Sequence, residues 1–301
     1  MFNKDHICVC ICTYKRPNYL IKLLKELEKQ ETGGLFDYSI VIVDNDSSES
    51  AQQAVTLYAS QSKISINYFV QPEQNIALTR NKAVENSIGD FLGFIDDDEF
   101  PGDNWLLELY KAIKKYKADG ILAPVLPVYE EEPPNWVLKG KCFDRPSHPS
   151  GYVLKWKNTR TGNVLIKRDL FKKPDQWFDP NYGSGGEDKD FFRRKIQDGC
   201  VFIWCNEAPV FETVAPVRWK RTFMLKRALL RGKVDYNTST KKYSSVFKSL
   251  VAITIYTLGL PFFLILGHHI FMTYLIKNCD HLGKVLRAIG FDVVKEKYVI
   301  N

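Results

Sequence analysis

No G-x-G-x-x-G follows the first apolar strand of this sequence, and no Walker sequence occurs anywhere in it. Both loops cradle phosphates with glycine backbone at a helix N-terminus, so their absence argues against a dinucleotide-binding dehydrogenase and a P-loop kinase. Internal repeats and low-complexity segments are also missing, and with 45% hydrophobic and 26% charged residues the 301-residue chain has an ordinary globular balance. The start, MFNKDHICVCICTYKRP, has too short an apolar run for a secretory leader and meets Lys15, Arg16 and Pro17 at once, so no signal peptide is expected. A disulfide framework is unexpected too. The seven cysteines are odd in number, and Cys8, Cys10 and Cys12 alternate along one strand, which gives them a common face and makes them a poor zinc site. Packed core thiols in a reducing compartment are the expectation.

From Ile7 to about residue 100, short β-branched runs alternate with segments of helical spacing, as a parallel sheet flanked by helices requires. Strands are expected at Ile7–Cys12, Ser39–Asp44, Ile64–Val70 and Phe91–Asp96. Helices are expected at Tyr19–Gln30, Ser50–Ser62 and Ile76–Ser87, the last capped by Asn75. Beyond Pro101 the pattern predicts a helix at 104–117, a strand Ile121–Val128, an irregular EEEPPNWVLKGK stretch, a strand Gly162–Lys167 and a helix Glu187–Gln197.

Between Arg218 and Lys242 nine Lys or Arg face a single acid, Asp235, and residues 249–276 then carry no formal charge apart from His268 and His269. As one helix that stretch would be about 42 Å long, more than a hydrocarbon core of about 30 Å. Pro261 near its middle is expected to kink or break it, and two half-length helices meeting there would re-enter the same face. Basic residues continue after it, Lys277, Lys284, Arg287, Lys295 and Lys297, so both flanks favour an anionic, cytoplasmic membrane surface. The net charge of +7 is assigned to that surface rather than to nucleic acid. The expected division is 1–215 catalytic, split into 1–100 and 101–215, then 216–248 basic and helical, 249–276 membrane-embedded or re-entrant, and 277–301 an amphipathic tail that lies on the membrane or packs back on the catalytic domain.

Polar residues interrupt the predicted strands at informative places. Thr13 follows the first, Asp44 ends the second and Asp96-Asp97-Asp98-Glu99 ends the fourth, all at the carboxyl edge where parallel α/β sheets bind ligands. The acidic run reads as a solvated turn before a helix or as an edge awaiting a cation. Its position directly after the apolar FLGFI favours the second, because hard divalent ions such as Mn2+ or Mg2+ bind carboxylates together with substrate phosphate oxygens. The second acidic group, Glu187-Asp188 after Gly185-Gly186, reads as helix-capping acids or as the base that takes a proton from an acceptor hydroxyl. Trp136, Trp156 and Trp177 read as core rings or as platforms for a sugar face.

The strings ICTYKRP, VIVDNDSS, QNIALTRNKA, FLGFIDDDEFPGDNWL, RTGNVLIKR and GGEDKDFFRR occur in the order found in family 2 glycosyltransferases, which this chain resembles over roughly residues 6–215. The later strings are similar to the bacterial subgroup that builds exopolysaccharide repeat units, including succinoglycan-type enzymes. The resemblance implies an α/β GT-A fold with a mixed sheet, followed by a membrane-associated helical segment. It implies that Thr13 and Asp44 contact a uridine-like nucleoside with Arg80 nearby, that Asp96 and Asp98 form the DxD pair with Asp98 the metal ligand, and that Asp188 is the catalytic base. The expected reaction is an inverting transfer from a nucleoside-diphosphate sugar, UDP-sugar favoured, to a saccharide hydroxyl, with the acceptor expected to be lipid-linked. One departure is DND where relatives carry DDG or DDS, which leaves the contact of Asn45 with the base open. The alternative class is a non-catalytic nucleotide-sugar-binding subunit of a membrane assembly, against which both intact acidic groups argue.

Overall fold

The computed structural model describes residues 4–239, 241–292 and 294. In chain order it contains β1 (Asp5–Thr13), α1 (Pro17–Leu27), β2 (Phe36–Asp44), α2 (Gln52–Ala59), β3 (Ile66–Val70), α3 (Ile76–Glu85), β4 (Phe91–Asp96), β5 (Glu99–Pro101) and α4 (Trp105–Tyr116). There follow β6 (Gly120–Leu122), β7 (Val125–Tyr129), α5 (Asn135–Lys139), β8 (Val164–Lys167), α6 (Glu187–Gln197), β9 (Phe202–Trp204), β10 (Val210–Val214), α7 (Arg221–Thr238), α8 (Lys242–Leu266) and α9 (His268–Ala288). Two compact units emerge: residues 4–126, 145–183 and 187–213 form the first, and the second takes 127–144, 184–186 and the described residues from 214 onward.

The first unit is built on a seven-stranded mixed sheet in the order β3-β2-β1-β4-β8-β6-β9. β1 lies in the middle of the parallel half, paired with β2 on one side and β4 on the other. Its alternation feeds both faces: Ile7, Val9 and Ile11 enter the apolar layer under α1 and α4, while Cys8 and Cys10 enter the opposite layer with Val41, Phe94 and Phe191. A strand buried on both sides must be apolar at every position, and five of its residues are at most 1% exposed. All seven cysteines are free thiols, and of the three that alternate along β1, Cys8 and Cys10 are buried. β8 enters antiparallel beside β4, which makes the sheet mixed. A second, small sheet pairs β5 antiparallel with β10.

Two expectations for residues 121–140 need correction. The single strand Ile121–Val128 is two strands, β6 and β7, because Pro124 between them has no N–H to donate to a ladder. The EEEPPNWVLKGK stretch contains α5, and Trp136 on it packs with Val137, Phe143, Trp219 and Met272 in the apolar centre of the second unit, so it is a core ring.

In the second unit α7, α8 and α9 pack together, with α5 against α9. The expected break at Pro261 does not occur: α8 runs through it and ends at Gly267, whose φ of +141° and ψ of 147° suit glycine alone. Proline forfeits one intrahelical bond, whereas this glycine leaves helical space altogether. α9 then returns antiparallel to α8, with Ser249 Oγ 3.0 Å from His281 Nδ1, Asn278 Nδ2 donating to Thr257 Oγ1 at 3.0 Å, and the Phe263 and Tyr274 rings stacked at 4.1 Å. The amphipathic stretch from His281 to Ala288 is no separate helix but the end of α9, which packs on α7 within the second unit; residues 295–301 of the expected tail, with Lys295 and Lys297, lie outside the described residues. The α7–α9 crossing is backbone against backbone, since a Cβ on Gly232 would meet the Asp280 carbonyl and one on Gly283 the Leu229 carbonyl. Gly283→Ala is therefore expected to destabilise the second unit by about 1–3 kcal/mol, the usual cost of overpacking, measured as a lowered urea midpoint of the helical signal.

Candidate active site

Register places the candidate residues side by side. Thr13 at the end of β1 is paired with Asp44 at the end of β2, and Cys12 with Asp96 at the end of β4. Three parallel strands thus deliver Thr13, Asp44 and Asp96 to one carboxyl edge. The chain then turns through Asp97 and Asp98 into β5, which begins at Glu99.

The four acids separate sharply by environment. The Asp96 side chain is 43% exposed, whereas Asp97, Asp98 and Glu99 are buried. Asp97 accepts from Thr13 Oγ1 at 2.7 Å, and the Arg16 guanidinium lies 3.2 Å from Asp97 and 3.1 Å from Asp98. Burial raises the Asp97 carboxyl above its ordinary pKa despite the help of Arg16 and Thr13. Burial opposes the charge on Arg16 in turn, but Asp97 and Asp98 outweigh it and hold its pKa above the usual value. Glu99 is fully buried; burial first and the Asp96 charge second push its carboxyl well above the carboxylate range. Its Oε2 accepts from the Asp96 amide at 3.2 Å, and its Oε1, without a hydrogen bond, lies 3.8 Å from Arg145, which also pairs with Glu212 at 2.5 Å. Arg160 joins this group with a buried Nε that has no hydrogen-bond partner, and burial together with Arg145 lowers its pKa to about 10.

α3 starts where expected, with the Asn75 side chain accepting from Leu78 N–H. It carries Arg80, 8% exposed, to the same edge: the guanidinium is 3.6 Å from Asp96 and hydrogen-bonds Glu187 at the first position of α6. Glu187 is 3% exposed and its second oxygen has no hydrogen-bond partner. Its neighbour Asp188 is half-buried and accepts from the adjacent Lys189 amide at 2.7 Å. α6 has acids at Glu187, Asp188 and Asp190 in its first turn, where the helix dipole favours negative charge.

Asp44 also has work to do in the local backbone. It is fully buried and accepts from the amides of Asp46 and Ala51 at 3.0 Å and from Tyr68 Oη at 2.8 Å, so its carboxylate holds the turn after β2. The DND departure has a structural reason. Asn45 Nδ2 donates to the carbonyls of Gln71 and Glu73 at 2.8 and 2.6 Å, and its Oδ1 accepts the Asn75 amide at 3.0 Å. A carboxylate there would accept one of these bonds and could donate neither of the others.

Thr13, Asp44, Arg80, Asp96 and Asp98 are thus gathered by one sheet edge, with Asp188 on the helix that Arg80 ties to it through Glu187. Sequence reasoning missed Arg16, Arg145, Arg160, the burial that sets Glu99 apart within the acidic run, and the division of labour between Glu187 and Asp188. Arg16 and Arg160 stood inside the recognised strings; two guanidinium groups beside an acidic tetrad were the available signal. Trp177 donates from Nε1 to the Phe171 carbonyl at 2.8 Å and packs on the core, while Trp156 stays half-buried. The donor chemistry of the edge, hard carboxylate oxygens with Asp96 open to solvent, fits a divalent cation. Among the described residues no three His, Cys, Asp or Glu are grouped to hold a metal by themselves, so a cation there needs oxygen ligands from its substrate and water.

A model of the family described as Glycosyl transferase family 2 matches residues 8–177. The succinoglycan biosynthesis protein ExoM of Rhizobium meliloti (strain 1021) is 32% identical over 232 residues, 76% of this chain and 73% of that protein. Among solved structures, S. aureus TarS 1–349 in complex with UDP-GlcNAc superposes with a TM-score of 0.55 over 96% of this chain and 95% of that one, at 15% identity. The same TarS segment in complex with UDP gives 0.54 at 16% identity. Likeness at this identity shows the fold, a mixed α/β sheet of the GT-A kind.

The Arg80–Glu187 pair carries a prediction. Arg80→Ala leaves a buried carboxylate uncompensated and is expected to cost about 3–5 kcal/mol in urea unfolding, and adding Glu187→Gln should recover part of that loss.

Proposed function

The chain belongs to glycosyltransferase family 2, and from that premise we propose an inverting, metal-dependent transferase that moves a sugar from a UDP-type donor to a hydroxyl of a lipid-linked saccharide, in cell-surface polysaccharide synthesis at the cytoplasmic face of a membrane. The observation that carries this reading is the convergence of Thr13, Asp44 and Asp96 on one sheet edge, tied through Arg80 to the helix that bears Asp188. The UDP and UDP-GlcNAc named for TarS support the choice of nucleotide, and ExoM's part in succinoglycan biosynthesis supports the polysaccharide context.

In the proposed reaction the acceptor oxygen attacks the anomeric carbon from the side opposite the diphosphate. Its proton passes to Asp188, and the bond from that carbon to the phosphate oxygen breaks with its electron pair, so the nucleoside diphosphate leaves and the configuration inverts. Asp188 suits the task because it is a carboxylate that is only half-buried, open to a hydroxyl. Asp44 acts through the turn it holds, presenting backbone between residues 45 and 51 to the nucleoside. Thr13, already donating to Asp97, fixes the loop beside it. Arg80 keeps Glu187 from competing for the proton and orients Asp96. A cation of the Mn2+ or Mg2+ type, held by Asp96 and Asp98, would neutralise the charge that grows on the departing diphosphate. Membrane association is supported by α8, whose most apolar 18 residues have a mean hydropathy of 2.1 and are only 6% buried.

The direct test is a donor screen with purified protein, manganese or magnesium and lipid-linked acceptors, read by mass spectrometry; absence of transfer from every nucleoside-diphosphate sugar would refute the reading. Asp188→Asn should leave donor affinity intact and lower kcat by about 10²–10⁴-fold, the contribution of a general base; a fall of less than threefold would assign the proton to another group. Asp98→Ala should weaken metal-dependent UDP binding in calorimetry while leaving the metal-free titration unchanged, and equal affinity with metal present would remove Asp98 from the cation site.

A further inference from the structure

The inference rests on the cation site proposed above and concerns what holds Asp96 in it. The ladder between β4 and β8 stops at the pair Phe94–Val164. Two residues further in the same register Asp96 would face Gly162, but the pairing does not extend that far. The Asp96 amide donates instead to Glu99 Oε2 at 3.2 Å. Gly162 leaves the room for this exchange: a Cβ there would stand 2.7 Å from Glu99 Oε1 and 3.2 Å from Asp96 Oδ2. Only a residue without a side chain lets the loop approach both carboxyl groups so closely. The loop is pinned at that spot by its next residue. Asn163 is fully buried, accepts from Trp105 Nε1 at 2.7 Å, and donates to the Pro124 and Ala208 carbonyls at 2.7 and 2.9 Å.

Stability alone does not account for a fully buried carboxyl group at position 99. β5 and β10 set Glu99 directly opposite Glu212, and like charges facing each other across a ladder destabilise a sheet. Arg145 bridges the two, 2.5 Å from Glu212 and 3.8 Å from Glu99. A buried group of this kind contributes little over well-packed apolar side chains of similar volume. We propose that Glu99 is a positioning residue: its Oε2 stands in for the strand partner that Asp96 lacks, and so fixes the backbone from which the Asp96 carboxylate meets a divalent cation. The two oxygens divide the task, Oε1 facing Arg145 and Oε2 holding the Asp96 amide. Glu99 itself is shut away from the substrate. Asp96, 43% exposed on its side chain and 3.6 Å from Arg80, is the group presented.

Two conservative substitutions separate reach from charge. Glu99→Gln keeps an oxygen that can accept the Asp96 amide and loses the charge, whereas Glu99→Asp keeps the charge and withdraws the oxygens by one methylene. The full chain is mixed with UDP and manganese, and manganese affinity is read from the electron paramagnetic resonance of free Mn2+. UDP affinity in EDTA is measured by calorimetry. Glu99→Asp should weaken manganese by about 10–100-fold, the usual cost of losing a group that orients a metal ligand, with UDP affinity in EDTA within about twofold of wild type. Glu99→Gln should stay within about threefold of wild type in manganese affinity because the amide keeps its acceptor, while its urea midpoint falls because Arg145 loses a counter-charge. Wild-type manganese affinity in Glu99→Asp would leave Glu99 a structural group and overturn the proposal. A loss in Glu99→Gln as deep as in Glu99→Asp, or an equal loss of UDP affinity in EDTA, would overturn it as well. A wild-type chain whose UDP complex takes up no manganese removes the cation site itself, and this role of Glu99 with it.

Discussion

Three buried acids in succession, with a fourth open to solvent beside them, hold their places because guanidinium groups reach them from distant parts of the chain. Arg16 spans Asp97 and Asp98, Arg80 stands between Asp96 and Glu187, and Arg145 serves Glu99 and Glu212. The central position of β1 makes this possible, since it aligns the ends of β2 and β4 and lets loops and α3 converge on one edge. Remove the cations and the run DDDE becomes a cluster of uncompensated charge that burial would neutralise or expel. The compensation is unequal. Glu99 and Arg160 each keep a buried atom without a hydrogen bond, so the edge carries unspent bonding capacity where its chemistry is proposed.

Much of the frame was legible in the residues. β4 and α6 have the bounds that their periodicity predicts, and Asn75 caps α3 as its side chain suggests. These features are local, written within one strand or one helical turn. What was not legible depends on distance: Arg16 meets its acids 81 and 82 positions away, and Arg80 meets Glu187 at 107. Between the neighbours Glu187 and Asp188, only the phase of α6 against α3 decides which turns inward to the guanidinium and which stays open. Asn45, a departure when set beside family motifs, is accounted for by two carbonyls that need donors.

The helical unit shows how two breakers compete. Pro261 is the residue that composition draws attention to, yet the chain turns at Gly267, because a proline in a helix loses one bond while a glycine can abandon the helical region entirely. Glycine also governs the packing of this unit. At Gly232 and Gly283 the absence of a side chain brings two backbones together, and the Arg231–Asp280 pair joins the same two helices beside that crossing.

The bonds that join Thr13 to Asp97 and Arg80 to Glu187 close loops of 84 and 107 residues. Contacts of such separation are late events in folding, because the entropy of closing the loop must be met before they form. A ribosome that has released the chain through β5 has made the ends of β1, β2 and β4 and the acidic turn without Glu187, Arg145 or Glu212. Such a nascent chain carries the tetrad with part of its counter-charge still unsynthesised. The edge is completed when α6 and β10 arrive, so its charge balance and native topology are acquired in the same event.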